Sequence, residues 1–277
     1  MLMEYKRILT IQDISCIGQC SMTVALPILS ACGHECCILP TAVLSTHTGG
    51  FGKPAVHHLR EDLEGIWRHW HSQKITFDAI LVGYLGSVQA IAAAEQIVDT
   101  MLAEKGICIV DPAMADHGKL YAGFDEAYVD AMRSLCAKAD ILLPNITEAA
   151  MLAGTAFRQD VDEDYVKELF SLLDGKTVVI TGVGFSEGQT GAAVRGEEGM
   201  AYIHHPRVGK SYHGTGDIFA ACFTGALMQG VPLAEAVRTA GEFTLRCIQN
   251  TEAAPAHWYG VKFETALPWL IEKLHRI

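Results

Sequence analysis

The sequence predicts an α/β fold in which a mostly parallel sheet lies between two layers of helices. The chain has 277 residues, 50% of them hydrophobic and 19% charged, which is enough to enclose a large core without disulfides. Short runs of branched apolar residues alternate along it with longer segments of helical periodicity. That alternation indicates parallel strands joined by crossover helices, and such sheets bind their ligands beyond the carboxyl ends of the strands.

The strands and helices of the first two thirds can be assigned in order. Six runs rich in Val, Ile and Leu, each ending near a polar residue or glycine, have the pattern of buried strands. They span residues 7–12, 36–45, 78–84, 107–111, 140–143 and 177–181. Helical patterns lie between them, several opened by Ser, Thr or Asp at the N-cap position. These cover residues 21–32, 54–72, 87–105, 125–138, 147–153 and 161–173.

The pattern changes after residue 181. Residues 190–195 and 200–205 predict a hairpin across the turn Gly196-Glu197-Glu198-Gly199. Three further helices are expected over 215–229, 233–249 and 263–275. Because no linker or repeat interrupts the chain, we expect one domain over residues 1–277.

Charge and hydropathy exclude two classes of partner. The net charge is −11, and no stretch rich in Lys or Arg offers a surface for nucleic acid. No apolar run approaches the roughly 18 residues of a membrane span, and the first residues lack the apolar segment of a signal peptide. We therefore expect a cytoplasmic protein that binds neither nucleic acid nor membrane.

Five of the nine cysteines are crowded between Cys16 and Cys37, with His34 among them. The spacing, CxxxC followed by CxHxCC, matches neither paired CxxC units nor the usual sets of zinc ligands. Free cysteines that serve as small hydrophobic residues are the favoured interpretation, and a metal site is the alternative.

The sharpest local signal is the segment HGTGDIFAA at residues 213–221. Two glycines and a threonine open an apolar helix, whose first N–H groups and positive dipole end form a site for phosphate. Asp217, in the first turn, is either a favourable charge at the helix start or a general base beside the phosphate. The competing Gly209-Lys210-Ser211 lacks the first glycine of a P-loop, because that position is His204.

Polar residues follow several other predicted strands. Carboxylates there are suited to hold a hard cation such as magnesium, directly or through water, and the alternative is that these residues only cap turns. These residues are Asp111, Asp116, Asn145, Glu148 and Thr181. Residues 41–52 predict a polar loop rich in hydroxyls and glycines, and Tyr84 ends another strand with a ring able to cover a flat ligand.

In order along the chain stand IQDISCIGQCSMT, STHTGGFGK, VGYLGS, DPAM, LPNITEA, VVITGV and HGTGDIFAA. Together, from about residue 8 to about residue 250, these segments resemble the pyridoxal/pyridoxamine kinase branch of the ribokinase-like superfamily. GTGD alone is similar to the whole superfamily, whereas STHTGG, GYLGS and PNxxE narrow the resemblance to vitamin B6 kinases. It implies a ribokinase-like three-layer α/β/α sandwich, a homodimer, and transfer of the γ-phosphate of ATP to the 5′-hydroxymethyl group of pyridoxal, pyridoxamine or pyridoxine.

The resemblance also implies roles for individual residues. Asp217 would be the base, and the amides of Gly214, Thr215 and Gly216 the anion hole. The residues implied for ATP are Asp111, Asp116, Asn145, Glu148, Thr181, Gly214 and Gly216, with Asp111 and Glu148 serving magnesium. Those implied for the pyridine substrate are Asp13, Ser45, Thr48 and Tyr84.

One departure concerns Asp13, where members of the family commonly carry serine against the substrate ring. A carboxylate there can pair with a protonated ring nitrogen or with the amine of pyridoxamine, so the preferred vitamer stays open. Hydroxymethylpyrimidine kinases of thiamine synthesis share the scaffold and a similar flat substrate, and they are the second hypothesis. A non-catalytic binder of pyridoxal phosphate or a nucleotide is the third, although a binder has no need of a base at Asp217.

Overall fold

A computed structural model describes residues 5–173, 175–196, 199–208, 212–254 and 256–275. The strands, in chain order, are β1 (Arg7–Ser15), β2 (Glu35–Leu44), β3 (Val56–His58), β4 (Phe77–Val82), β5 (Leu102–Val110), β6 (Ala115–Asp116), β7 (Lys119–Leu120), β8 (Ile141–Leu142), β9 (Thr177–Thr181), β10 (Gln189–Gly196) and β11 (Gly199–Pro206). The helices are α1 (Met22–Ala31), α2 (Arg60–Ser72), α3 (Val88–Met101), α4 (Glu126–Lys138), α5 (Ile146–Ala153), α6 (Glu163–Leu172), α7 (Thr215–Met228), α8 (Leu233–Glu252) and α9 (Leu267–His275), with a 3₁₀ turn at Phe263–Thr265. Glu197 and Glu198 of the predicted turn, and the segment Gly209-Lys210-Ser211, lie outside the described residues.

Among the described residues, nine strands form one sheet in the order β11-β10-β9-β8-β5-β4-β1-β2-β3. The six strands from β9 to β2 pair in parallel, which confirms the predicted arrangement. Antiparallel pairs close both edges: β10 and β11 form the predicted hairpin beside β9, and β3 pairs with β2. The short strands β6 and β7 form a separate hairpin after β5.

Alternate side chains of the central strands enter two hydrophobic clusters, one on each face of the sheet. Leu9 and Ile80 point to the cluster covered by α2 to α6. Their neighbours Ile8 and Leu81 point to the cluster covered by α1 and α7 to α9. Because successive strand residues face opposite sides, burial of both sets gives the continuous apolar runs read in the sequence. The predicted three-layer α/β/α sandwich is thereby confirmed.

Some predicted boundaries were wrong. The helix expected from residue 54 begins at Arg60, because Val56–His58 pair with Ala42–Leu44 as an edge strand. The first four residues of the predicted loop 41–52 consequently belong to β2. The helix expected to reach residue 105 ends at Met101, where β5 begins. In each case pairing with a distant strand overrides the local helical pattern.

All nine cysteines are free thiols. Cys32 is fully buried against the core, as the hydrophobic interpretation expects, whereas Cys16 of the same cluster is exposed, contrary to it. Over the part of the chain that the structure describes, no group of three or more His, Cys, Asp or Glu residues is arranged to hold a metal ion. Within the same ranges, no helix is both long and apolar enough to cross a membrane.

Candidate active site

A cleft of about 760 Å³ opens at the carboxyl ends of the parallel strands. All but one of the residues predicted for the site line it. These are Asp13, Thr48, Tyr84, Asp111, Asp116, Asn145, Glu148, Thr181, Gly214, Thr215, Gly216 and Asp217. The exception is Ser45, which is exposed and whose hydroxyl accepts a hydrogen bond from the Ala55 N–H at 3.0 Å. Ser45 therefore closes the base of the loop and does not face the cleft.

The strand order sets the order of groups along the cleft. Asp13 on β1 and Tyr84 after β4 lie toward one end, and Thr181 at the end of β9 lies toward the other. Asp111, which follows β5, lies between them. Because these strands are adjacent and parallel, side chains far apart in sequence meet at one edge, as such sheets require.

The start of α7 faces the middle of the cleft. Gly214, the N-cap, has the left-handed φ of 80° that favours glycine, and a Cβ there would overlap the carbonyl of Gln19. The first N–H groups of a helix have no partner within the helix, so they are available to an anion. Glycine at 214 thus allows the Gln19 carbonyl to pack against the helix start.

Asp217 has an unusual environment for a carboxylate. Burial and the nearby charge of Asp13 raise its pKa to about 6, although the backbone N–H of Ser21 donates to it and opposes that rise. A carboxylate with a pKa near 6 is mostly ionised at neutral pH and still basic enough to accept a proton. The geometry therefore accommodates the general base that the sequence predicts, beside the helix start that would bind phosphate.

Two more carboxylates of the cleft, those of Asp111 and Glu148, influence each other. Burial and the charges of Glu148 and Asp217 raise the pKa of Asp111, and burial raises that of Glu148. None of the described residues lining the cleft is Lys or Arg. Carboxylates gathered with no Lys or Arg among the described lining residues favour a bound cation, and oxygen ligands favour a hard one such as magnesium.

Glu148 and Asn145 form a capping box at the start of α5. The Asn145 side chain accepts from the Glu148 N–H at 3.0 Å, and Glu148 accepts from the Asn145 N–H at 2.9 Å. Glu148 also accepts from the Met114 N–H at 3.1 Å, so it holds the segment after β5. Its oxygens are therefore engaged by backbone, and Asp111 is the freer of the two carboxylates. Two protein carboxylates completed by substrate phosphates and water are a usual magnesium site.

Asp13 and Tyr84 form the opposite end of the cleft. Asp13 is 3% exposed and lies at a bulge, where the register between β1 and β2 shifts. Burial raises its pKa, partly offset by hydrogen bonds from Ser21 and Ser15, the latter at 3.1 Å. The Tyr84 ring stacks on Phe124 with centroids 5.6 Å apart. A bulge beside a site re-aims a side chain, and here it presents a carboxyl group next to an aromatic ring.

Two histidines of the site were not singled out from the sequence. His47 and His213 line the cleft with ring centroids 4.7 Å apart. His47 Nδ1 accepts from the Gly49 N–H at 3.0 Å, and burial together with His213 lowers the His47 pKa, so the neutral ring carries its proton on Nε2. Both histidines belong to segments that the sequence analysis identified, STHTGG and HGTGD. The sequence does not show that these two segments lie next to each other in the fold.

An apolar slot near the hairpin was also missed. It combines residues of β11 and α8 that are unremarkable in sequence, namely Ile203, Val237, Thr244 and Ile248. It adjoins Thr181, at the end of the cleft away from Asp13 and Tyr84. A largely apolar lining of this kind suits a heteroaromatic base.

The profile of the phosphomethylpyrimidine kinase family matches residues 28–261. The chain belongs to this family of kinases. Among solved structures, pyridoxal kinase from Lactobacillus plantarum is 34% identical with a TM-score of 0.91, and the match covers 98% of each chain. These findings confirm the resemblance to the pyridoxal kinase branch of the ribokinase-like superfamily.

Two further relatives of the kinase bear on the substrate. A phosphomethylpyrimidine kinase candidate from Bacteroides thetaiotaomicron, in a crystal form with pyridoxal, is 33% identical with a TM-score of 0.89 over 96% of each chain. The hydroxymethylpyrimidine/phosphomethylpyrimidine kinase of Haemophilus influenzae is 30% identical over 176 residues, which span 61% of this chain and 64% of that protein. The chain is thus a kinase of the family that includes both vitamin B6 and hydroxymethylpyrimidine kinases.

Proposed function

We propose that this kinase transfers the γ-phosphate of ATP to the 5′-hydroxymethyl group of a B6 vitamer. The observation that carries the proposal is the placement of Asp217, a carboxyl group with a pKa of about 6, in the first turn of a helix whose start faces the cleft. Two relatives support the substrate: a 34% identical chain is a pyridoxal kinase, and a 33% identical one was crystallised with pyridoxal.

Asp217 would accept the proton of the substrate hydroxyl as the oxygen attacks the γ-phosphorus. Proton transfer by a positioned base contributes about 10²–10⁴-fold to a rate. The Ser21 N–H that donates to Asp217 orients the carboxylate and opposes the rise of its pKa. The O–H bond breaks as the new P–O bond forms, and ADP leaves with the electrons of the former P–O bond.

The N–H groups of Gly214, Thr215 and Gly216 would stabilise the charge on the transferred phosphoryl group. Preorganised donors of this kind supply most of the catalysis in phosphoryl transfer. Magnesium, when bound, neutralises charge on the ATP phosphates. Asp111 would hold it directly, and Glu148 would hold it through ordered water while fixing the backbone after β5. Asp116, Asn145 and Thr181 line the same stretch and are assigned to ATP.

The substrate ring would lie between Tyr84 and the polar loop that carries Thr48, with Asp13 at its edge. Tyr84 is held by its stack on Phe124, so it offers a fixed face to a pyridine ring. Asp13, almost fully buried, would pair with a protonated ring nitrogen or an amine. This arrangement favours pyridoxamine or a pyridinium form over a neutral pyrimidine.

Hydroxymethylpyrimidine phosphorylation is the second candidate, supported by the family profile and by the Haemophilus influenzae relative. Both substrates offer a hydroxymethyl group on a flat ring, so the base and the helix start serve either. An ATP-dependent assay on pyridoxal, pyridoxamine, pyridoxine and hydroxymethylpyrimidine separates the two. We expect the highest kcat/KM with a B6 vitamer; a higher value with hydroxymethylpyrimidine would make the second candidate the function.

The same resemblance supports three further proposals: the chain forms one kinase domain, assembles as a homodimer and works in the cytoplasm. Size-exclusion chromatography with light scattering tests the dimer. Two chain masses are expected, and a monomer at assay concentration would contradict it.

A further inference from the structure

The turn that joins β1 to α1 has a costly backbone conformation. Gln19 has a φ of 51° and Ser21 a φ of 50°, both in the left-handed region, and neither is glycine. Residues are held there only when their surroundings impose it, and such strain is concentrated at functional sites. The contacts that impose it therefore indicate what the turn does.

The Gln19 side chain ties this turn to the C-terminal part of the chain. Its Nε2 donates to both carboxylate oxygens of Glu264, at 3.0 and 3.1 Å. Its Oε1 accepts from His257 Nε2 at 2.9 Å. A Cβ at Gly260 would lie 2.7 Å from the Gln19 Cβ, so the C-terminal segment also packs directly on Gln19. The amide thus uses both its donor and its acceptor on residues 257–264.

The backbone of the same turn contacts the groups assigned to the reaction. The Gln19 carbonyl packs against Gly214, so closely that only glycine fits there. Two residues on, the Ser21 N–H donates to Asp217. The turn therefore contacts both the helix start and the base, while its side chain is fixed from outside the cleft.

We propose that Gln19 is a positioning residue for phosphoryl transfer, because it fixes the β1–α1 turn against which Gly214 and Asp217 are placed. The inference rests on the proposed function. Gln19, His257 and Glu264 are not among the residues that line the cleft. Their effect on the reaction must therefore pass through the geometry of the base and the helix start, and it must appear in kcat more than in KM.

A purely structural role makes a different prediction. If Gln19 only fastened the C-terminal segment, its loss would lower the thermal midpoint and leave the turnover of the folded enzyme unchanged. The Asn250–Thr265 hydrogen bond, 2.8 Å long, is an exposed contact in the same part of the molecule. It does not involve the β1–α1 turn, so Asn250→Ala is a matched control.

The test exchanges the amide and the carboxylate of the Gln19–Glu264 hydrogen bond. Gln19→Glu places two carboxylates together, and kcat is expected to fall about ten- to hundredfold, as small misplacements of reacting groups do, with KM for ATP and vitamer changed less than about twofold. In the double variant Gln19→Glu/Glu264→Gln, the new amide at 264 donates to the new carboxylate at 19, and His257 still donates to it. Turnover is expected to return to within about threefold of wild type.

Two results would overturn the inference: a kcat of Gln19→Glu no lower than that of Asn250→Ala, or no recovery in the double variant. If Gln19→Glu does not fold, Glu264→Ala takes its place, since Glu264 is exposed; it should lower kcat at least about threefold at unchanged KM. A wild-type enzyme that phosphorylates none of the four substrates refutes the proposed function itself, whereas an active wild type with unaffected variants refutes only the role of Gln19.

Discussion

Replacing Asp217 by asparagine removes the proton acceptor and keeps the size of the side chain. The pKa of Asp217 is raised to about 6, so the ionised base dominates at pH 7.5. The wild-type rate should therefore fall about tenfold per pH unit below 6 and be nearly flat above 7. Asp217→Asn should lose both this acid limb and about 10²–10⁴-fold of kcat, while KM for ATP changes little.

The assay is ADP release at saturating ATP and vitamer, measured from pH 5 to 8.5. Asp116→Asn is the matched control, because it removes an exposed carboxylate from the same cleft. It should keep the acid limb and lose much less kcat. An Asp217→Asn enzyme with kcat within about tenfold of wild type, or with the acid limb intact, would refute the assignment of the base.

Three other predictions concern the cleft, and a fourth concerns the cysteines. Gly216→Val should reduce kcat far more than Thr215→Ser. Position 216 opens directly into the cleft, so a valine side chain there would occupy the space where the phosphate binds. Equal activities of the two variants would argue against an amide-lined anion hole. Glu148→Gln should raise the magnesium concentration for half-maximal rate, and an unchanged magnesium titration would leave Glu148 with its capping role alone. Asp13→Ser should lower kcat/KM for pyridoxamine more than for pyridoxal, by ~1–2 kcal/mol; parallel losses for both vitamers would remove Asp13 from vitamer selection. Freshly reduced protein should contain no stoichiometric metal at the cysteines, and about one zinc or iron per chain that survives chelation would contradict that.

The features that could be predicted were those with a local signal. A branched apolar run followed by a polar residue identifies a parallel strand and the group at its end, which is how Asp111 and Asn145 were found. HGTGD likewise carries its own signal, since glycines before an apolar helix predict an anion site wherever the helix lies. Such patterns also placed the hairpin of β10 and β11 within one residue at each end.

What could not be predicted depends on contacts between distant segments. Gln19 bonds to Glu264 across 245 positions, and neither residue has a type or spacing that singles it out. The local pattern at residues 56–58 favoured a helix. These residues form a strand instead because they pair with the edge of β2. Ser45 was predicted to bind the substrate because it belongs to the polar loop that lines the cleft. Its hydroxyl instead accepts a hydrogen bond from the Ala55 N–H.

The central claim is tested most directly by the identity of the phosphorylated product. Purified enzyme, ATP and magnesium are incubated separately with pyridoxal, pyridoxamine, pyridoxine and hydroxymethylpyrimidine, and each product is identified by mass and by its phosphate position. The account predicts a B6 vitamer 5′-phosphate, formed with the highest kcat/KM of the four and abolished in Asp217→Asn. A hydroxymethylpyrimidine phosphate formed more efficiently than any vitamer phosphate, or tight vitamer binding without ADP release, would contradict it.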